Sequence, residues 1–214
     1  MKRAAIGVRM HSGWGALVAV GHEAEMVNVI QRRRVVVVPA AARGGKQPYH
    51  FAKSLEPEEA ENFLRECFEA SQSLGLTAVR ELRDELSGQY RVVGAAVLLA
   101  SGRPLPSLAK ILASHSLIHT AEGVFYREVF SKACECLELP VTGFRERDLD
   151  EHVQAAFGRA ANRVSQQVSD AGPSLGPPWT QDQKLAALAA LVVLASDQKP
   201  IAVGTESHRL APVE

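Results

Sequence analysis

Hydrophobic residues recur along the chain in two patterns, and together these patterns are typical of an α/β fold. The first forty residues contain three apolar runs rich in β-branched side chains, which predict strands over residues 4–11, 14–22 and 25–39. The links between the runs are short, so these strands are expected to form an antiparallel meander. The third run carries consecutive arginines at 32–34, which is typical of an edge strand protected by charge.

Farther along the chain, helical and strand patterns alternate. Residues 40–57 are predicted to form a loop. Apolar positions three or four residues apart then predict a long helix, and a continuous apolar run predicts a fourth strand buried on both faces. The predicted elements after the loop are a helix over 57–86, a strand over 90–100, a helix over 106–137, a strand over 140–146, a helix over 148–168 and a last helix from residue 180.

The resulting order, βββαβαβα plus a final helix, predicts an α/β fold with a mixed five-stranded sheet. Strands four and five each follow a helix, so they should run parallel to a neighbour through right-handed crossovers. Strand one is then central, with the meander on one side and strands four and five on the other. We expect one domain over residues 1–198 and a C-terminal tail over 199–214.

This topology predicts where a ligand would bind. Sites in such sheets lie at the carboxyl ends of the strands where the strand order reverses, which here means the ends of strands one and four. Arg9, His11 and Ser12 lie at the first end, and Arg103 follows the second. Arg9 is suited to binding a phosphate or carboxylate, and His11 to acid–base chemistry. Ser12 with Gly13 also fits an ordinary hairpin turn.

The predicted helix over 106–137 contains a second group of candidate residues. His115 and His119 are one helical turn apart and Glu122 follows three residues later, so all three share a face. Two histidines at this spacing can bind one transition metal, with the carboxylate as a third ligand. The alternative is a set of hydrogen-bonded histidines without a metal. Because this helix follows strand four, the histidine face is also expected near His11.

The loop over residues 43–50, RGGKQPYH, combines two glycines with two cations. Its backbone N–H groups are suited to an anion, although a flexible loop without a ligand explains the same composition. The spacing differs from that of a nucleotide-binding P-loop. His50, at the end of this loop, is a further candidate base.

Composition narrows the function classes. The 214 residues carry a formal net charge of zero, so the overall charge does not favour an anionic partner, and self-association into a homo-oligomer is plausible. Three cysteines without Cys-x-x-Cys spacing argue against a disulfide framework. We find neither a signal peptide nor a membrane-spanning run, so a soluble, cytoplasmic protein without membrane association is expected.

Two stretches resemble a known family. IGVRMHSGWGALVAV (residues 6–20) resembles the first hairpin of the ribonuclease H-like superfamily, in particular its RuvC-like resolvase branch, and TQDQKLAALAAL (residues 180–191) resembles its last helix. The order of elements is similar over about residues 1–195. The resemblance implies nucleic-acid chemistry, since in this family carboxylates on strand one, strand four and the last helix hold two divalent metals that cleave phosphodiesters.

The carboxylates that the resemblance implies are largely missing from this sequence. Arg9 stands about where the strand-one acid is expected, and strand four has no acid. Asp182 matches the acid of the last helix, although an acid in a first turn also favours the helix dipole, and Thr180 with Gln183 fits a capping box.

We therefore expect binding of a phosphate-containing ligand or nucleic acid without two-metal cleavage, with at most one divalent metal ion. The alternative is a non-catalytic scaffold for protein interaction or self-association.

Overall fold

Five strands form one mixed sheet in the computed structural model, which describes residues 1–100 and 104–197. Arg103 and the predicted tail over 199–214 lie outside the described residues. The strands are β1 (Lys2–His11), β2 (Trp14–Glu23), β3 (Met26–Val36), β4 (Tyr90–Leu99) and β5 (Val141–Arg145).

The strand order β3-β2-β1-β4-β5 confirms the predicted α/β topology. β1 is central, antiparallel to β2 and parallel to β4, and β5 runs parallel to β4. β3 pairs antiparallel with β2 and lies at the edge of the sheet. The carboxyl ends of β1, β4 and β5 therefore meet at one end of the sheet.

Among the described residues, eight α-helices surround the sheet, and short 3-10 helices cover Glu146–Asp148 and Gly158–Ala160. The α-helices are α1 (Pro48–Ala52), α2 (Pro57–Leu86), α3 (Leu108–Leu112), α4 (His115–Glu135), α5 (Leu149–Phe157), α6 (Ala161–Asp170), α7 (Gly172–Leu175) and α8 (Gln181–Ser196).

Three predicted segments differ from the structure. The loop over 40–57 contains the short helix α1, which begins at Pro48, a residue suited to the first turn of a helix. The predicted helix over 106–137 is divided into α3 and α4, because Ser114 adopts an extended backbone. The predicted helix over 148–168 is divided into α5 and α6 next to Gly158, whose φ of +53° ends α5.

Two helical layers cover the sheet. On one face α2 and α4 pack against β1 residues such as Ile6 and Val8, and on the other face α8 packs against Ala5. α8 approaches the backbone of β1 closely at Gly7, where an added Cβ would lie 1.8 Å from the carbonyl oxygen of Ala186. This approach sets the first turn of α8 over the carboxyl end of β1.

No helix within residues 1–100 and 104–197 is long and apolar enough to cross a membrane.

Candidate functional site

A cluster of charged side chains lies at the carboxyl end of β1 on the face covered by α8. Arg9 is at its centre. Its Nη1 donates to Oδ1 of Asp182 at 2.8 Å, and its Nε and Nη2 donate to the two carboxylate oxygens of Glu146 at 3.0 and 3.3 Å. Glu146 follows β5 directly, so the cluster joins the ends of two parallel strands to the start of α8. The two-pronged contact with Glu146 fixes the guanidinium plane.

His11 completes this cluster. Its Nε2 lies 2.8 Å from Oδ2 of Asp182 and 3.2 Å from Nη1 of Arg9. Because a carboxylate only accepts hydrogen bonds, Nε2 of His11 donates its proton to Asp182, and the contact with the Arg9 guanidinium is then an approach of two donors to the same carboxylate. A histidine oriented by a carboxylate in this way is suited to acid–base chemistry.

The ring of His11 stacks on Trp14, its pairing partner on β2, with centroids 4.3 Å apart and planes 13° apart. The guanidinium carbon of Arg34, on β3, lies 3.7 Å from the centre of the same Trp14 ring. Such an arrangement is a cation–π contact. Three neighbouring strands thus present a continuous layer of one histidine, one tryptophan and one arginine beside Asp182.

The hairpin turn between β1 and β2 lies next to this layer. Gly13 has a φ of +79°, which the turn requires, and a Cβ added there would lie 3.0 Å from Cγ of Lys46. Lys46 and Ser12 are both exposed. The loop over 43–50 therefore approaches the same end of the sheet.

Arg9 and Arg127, both at this end of the sheet, differ in their surroundings. Partial burial opposes the charge of Arg9, but Glu146 and Asp182 outweigh that effect and raise its pKa above the ordinary value. Arg127, on α4, has its pKa lowered by burial and by the charge of Arg9. Its guanidinium donates to the backbone oxygens of Leu98 and Gly123, at the end of β4 and within α4.

The first turn of α8 explains why Asp182 is available to the cluster. The predicted capping box is present and is made by Thr180 and Gln183, with the backbone N–H of Thr180 donating to Gln183 at 2.8 Å. Asp182 lies in the same turn, where a negative charge is favourable, but both of its oxygens face β1.

The second group of predicted residues forms a separate cluster, in the layer that contains α4. Nε2 of His119 lies 3.1 Å from Nε2 of His115, and both rings make edge contacts with the ring of His50 on α1. Glu122 is buried and accepts hydrogen bonds from the backbone N–H and the Nδ1 of His50. The nitrogen donors of the three histidines lie within 4.8 Å of one another.

The structure brings Arg9, His11 and Asp182 together, and it brings His115, His119 and Glu122 near one another. The expected approach of the histidine face to His11 is not found: the two sets share no hydrogen bond, ion pair or ring contact among the described residues, because His11 faces α8 and the other histidines lie in the α4 layer. Ser12 is exposed at the turn, beside the first set.

Sequence reasoning missed three members of these clusters, Glu146, Trp14 and Arg34, and did not place His50 beside the α4 histidines. Glu146 could have been predicted, because it directly follows a parallel strand and sites in such sheets lie at the carboxyl ends of the strands, as was argued for Arg9. Trp14 and Arg34 depended on the exact register of β1, β2 and β3. His50 was a candidate base, but its proximity to the α4 histidines depends on the path of a loop.

Comparisons with known proteins support the fold. The structure is similar to Thermus thermophilus RuvC in complex with Holliday junction substrate, with a TM-score of 0.51 and 12% sequence identity over 92% of this chain and 95% of that chain. This chain has a ribonuclease H-like fold. The identity is low, so the likeness concerns architecture.

Two further solved structures have lower TM-scores. A second Thermus thermophilus RuvC structure has a TM-score of 0.49 at 12% identity, covering 91% of this chain and 94% of that one. An Aquifex aeolicus member of the Ppx/GppA family has a TM-score of 0.34 at 11% identity, covering 73% of this chain and 40% of that one. No family model matches the sequence, and no curated protein matches it.

Proposed function

We propose that this protein binds the phosphate backbone of nucleic acid at the carboxyl ends of β1 and β4, without two-metal cleavage. The observation that carries the proposal is the position of Arg9 at the end of the central strand, in contact with both Asp182 and Glu146. The guanidinium pairs with both carboxylates, so neither is free to hold a divalent cation, and the positive charge open to a phosphate comes from the neighbouring Arg34 and Lys46.

The surroundings of Arg9 favour an anionic ligand. Arg34 and Lys46 are exposed and have no carboxylate partner among the described residues, while Arg127 donates to backbone oxygens. Arg34 and Lys46 lie beside the β1–β2 turn, so their charges extend the cluster toward solvent. Cations spaced along such an edge are suited to a polyanionic backbone. The RuvC structure with Holliday junction substrate makes branched DNA a natural first probe.

The test is the salt dependence of binding to fluorescently labelled four-way and linear DNA, measured by polarisation in EDTA. Wild-type protein is expected to bind, with affinity falling as salt rises. The double variant Arg34→Ala/Lys46→Ala should bind several-fold more weakly, and its log–log salt slope should be shallower by about 1 for each phosphate that the protein no longer neutralises.

The matched control is Arg65→Ala/Lys53→Ala, which removes one exposed arginine and one exposed lysine outside the cluster. It should bind as tightly as wild type. Absence of DNA binding at about 50 mM salt, where phosphate contacts are strongest, or equal weakening by the two double variants, would overturn the proposal.

A second candidate function is self-association along β3, the outer strand of the sheet. β3 begins at Met26 and ends at Val36, and these side chains are 60% and 54% exposed. Because β3 is the edge strand of the sheet, its outer backbone groups can pair with a strand of a second chain. Light scattering after size-exclusion chromatography tests it. A dimer that Val36→Lys dissociates supports this candidate, and a monomer at all concentrations removes it.

A further inference from the structure

We propose that His50, His115 and His119 bind one transition-metal ion of the zinc class, and that Glu122 holds His50 in position for it. This site uses none of the residues of the β1 cluster, so zinc binding does not depend on whether the protein binds DNA.

Two of the three ligands are fixed by α4. His115 is the first residue of that helix and His119 lies one turn later, so both side chains leave the same face. Their Nε2 atoms are 3.1 Å apart. Tetrahedral zinc with bonds of about 2.0–2.1 Å requires nitrogens about 3.4 Å apart, so the pair already has close to the required separation.

The third ligand comes from α1. His50 brings its ring to 4.8 Å from the ring of His119 and 5.4 Å from that of His115, measured between centroids. The donor atoms of all three side chains lie within 4.8 Å of one another, so small rotations of the rings would converge them on one ion. His50 is far from His115 and His119 in the sequence, so the three side chains come together only when the chain folds.

Glu122 is an independent observation that points to a cation. Its side chain is only 3% exposed, and its Oε1 accepts from the backbone N–H of His50 at 3.2 Å and from Nδ1 at 3.1 Å. With Nδ1 donating to the carboxylate, Nε2 of His50 keeps its lone pair for a metal. Metal-binding histidines commonly donate their other ring N–H to a carboxylate in this way.

The donor chemistry defines the class of metal. Three imidazole nitrogens favour zinc, cobalt, nickel or copper over magnesium or calcium, which prefer oxygen ligands. His115 and His119 are exposed, so a fourth coordination position would open to solvent and hold water. Three protein ligands and one water form the arrangement of open zinc sites.

Metal binding is tested on untagged, full-length protein after treatment with a chelator. We expect one equivalent of Zn²⁺ in competition with a chromophoric chelator, and a Co²⁺ visible spectrum of tetrahedral type. His50→Ala and His119→Ala should each weaken Zn²⁺ binding by at least about tenfold, and Glu122→Gln should weaken it about 10–100-fold. Zn²⁺ should raise the melting temperature of wild type, and it should raise that of His119→Ala by less at the same Zn²⁺ concentration.

Two controls separate this site from other zinc ligands. His152→Ala removes an exposed helical histidine outside the cluster, and Cys136→Ser removes an exposed thiol; both should bind Zn²⁺ as wild type does. His115 and His119 are exposed, so their replacement should leave the fold intact, which circular dichroism verifies. The proposal would be overturned if the wild-type protein bound no Zn²⁺, or if the folded His119→Ala variant bound Zn²⁺ as tightly as wild type.

Discussion

At the scale of single residues, Arg9 organises the end of the sheet. It satisfies both oxygens of Glu146 and one oxygen of Asp182, whose other oxygen is bound by His11. The sequence alone predicted that Arg9, His11 and Asp182 would lie in one region, because strand order and the family resemblance both indicate that end. It did not predict that two carboxylates would converge on the arginine, since Glu146 reaches it only through the pairing of β5.

Replacing Arg9 by Met tests this role. The change keeps most of the aliphatic volume but removes the cation between the partly buried Asp182 and the exposed Glu146, so the free energy of unfolding should fall by about 1 kcal/mol. Urea denaturation measures it. Arg65→Met, at an exposed position on α2, should change stability by less than about 0.5 kcal/mol. Equal stability of Arg9→Met and wild type would show that the ion pairs contribute nothing.

Buried acidic protons predict a loss of stability at alkaline pH. Burial raises the pKa of Tyr49 from 10.0 to about 12 and that of the Cys134 thiol from 9.0 to about 12. The folded state holds these protons more tightly than the unfolded state. Their stabilisation is therefore complete below about pH 9 and is lost as pH rises from there toward about 12, by up to about 1.4 kcal/mol per pH unit for each group.

Urea unfolding from about pH 8.5 to about pH 11 measures this loss. Cys134→Ala should flatten the decline between about pH 9 and 10, where the unfolded thiol ionises and the tyrosine largely does not. Cys136→Ser, which changes an exposed thiol, should follow the wild-type curve. A free energy of unfolding that stays constant over this range would refute the assignment.

At the scale of elements, the prediction succeeded where hydrophobic periodicity is strong and failed at breaks within helices. The five strands, the order around β1 and the long helix α2 follow directly from pattern and connection length. The break between α3 and α4 occurs at Ser114, without a glycine or proline to indicate it. That break makes His115 the first residue of α4, so the local backbone decides where the histidine pair begins.

The contact between α8 and β1 positions Asp182, and Gly7 makes it possible. A Cβ at residue 7 would lie 1.8 Å from the backbone oxygen of Ala186, so the backbone of β1 or α8 would have to shift. Gly7→Ala should therefore lower the free energy of unfolding by about 3 kcal/mol or more. Gly88→Ala, where an added Cβ meets nothing within 4 Å, is the matched control and should be tolerated. Equal stability of the two variants would contradict the close approach.

At the scale of the whole molecule, a net charge of zero conceals an uneven distribution. Cations without carboxylate partners lie around the β1–β2 turn, whereas the carboxylates at this end of the sheet are bound to Arg9 or to the arginines of β5 and its following turn. Composition therefore could not indicate an anionic partner. The fold was predictable because element order determines it, whereas this local charge depends on which side chains the strands bring together.

The most direct test of the central claim is the fate of a labelled four-way DNA junction mixed with the protein in Mg²⁺ or Mn²⁺ and analysed on native and denaturing gels. We predict that the junction is retained in a complex and that its strands remain intact, because Arg9 pairs with Asp182 and Glu146 and leaves neither carboxylate free for a divalent cation. Cleavage that depends on the added metal and disappears in Asp182→Asn would contradict this prediction.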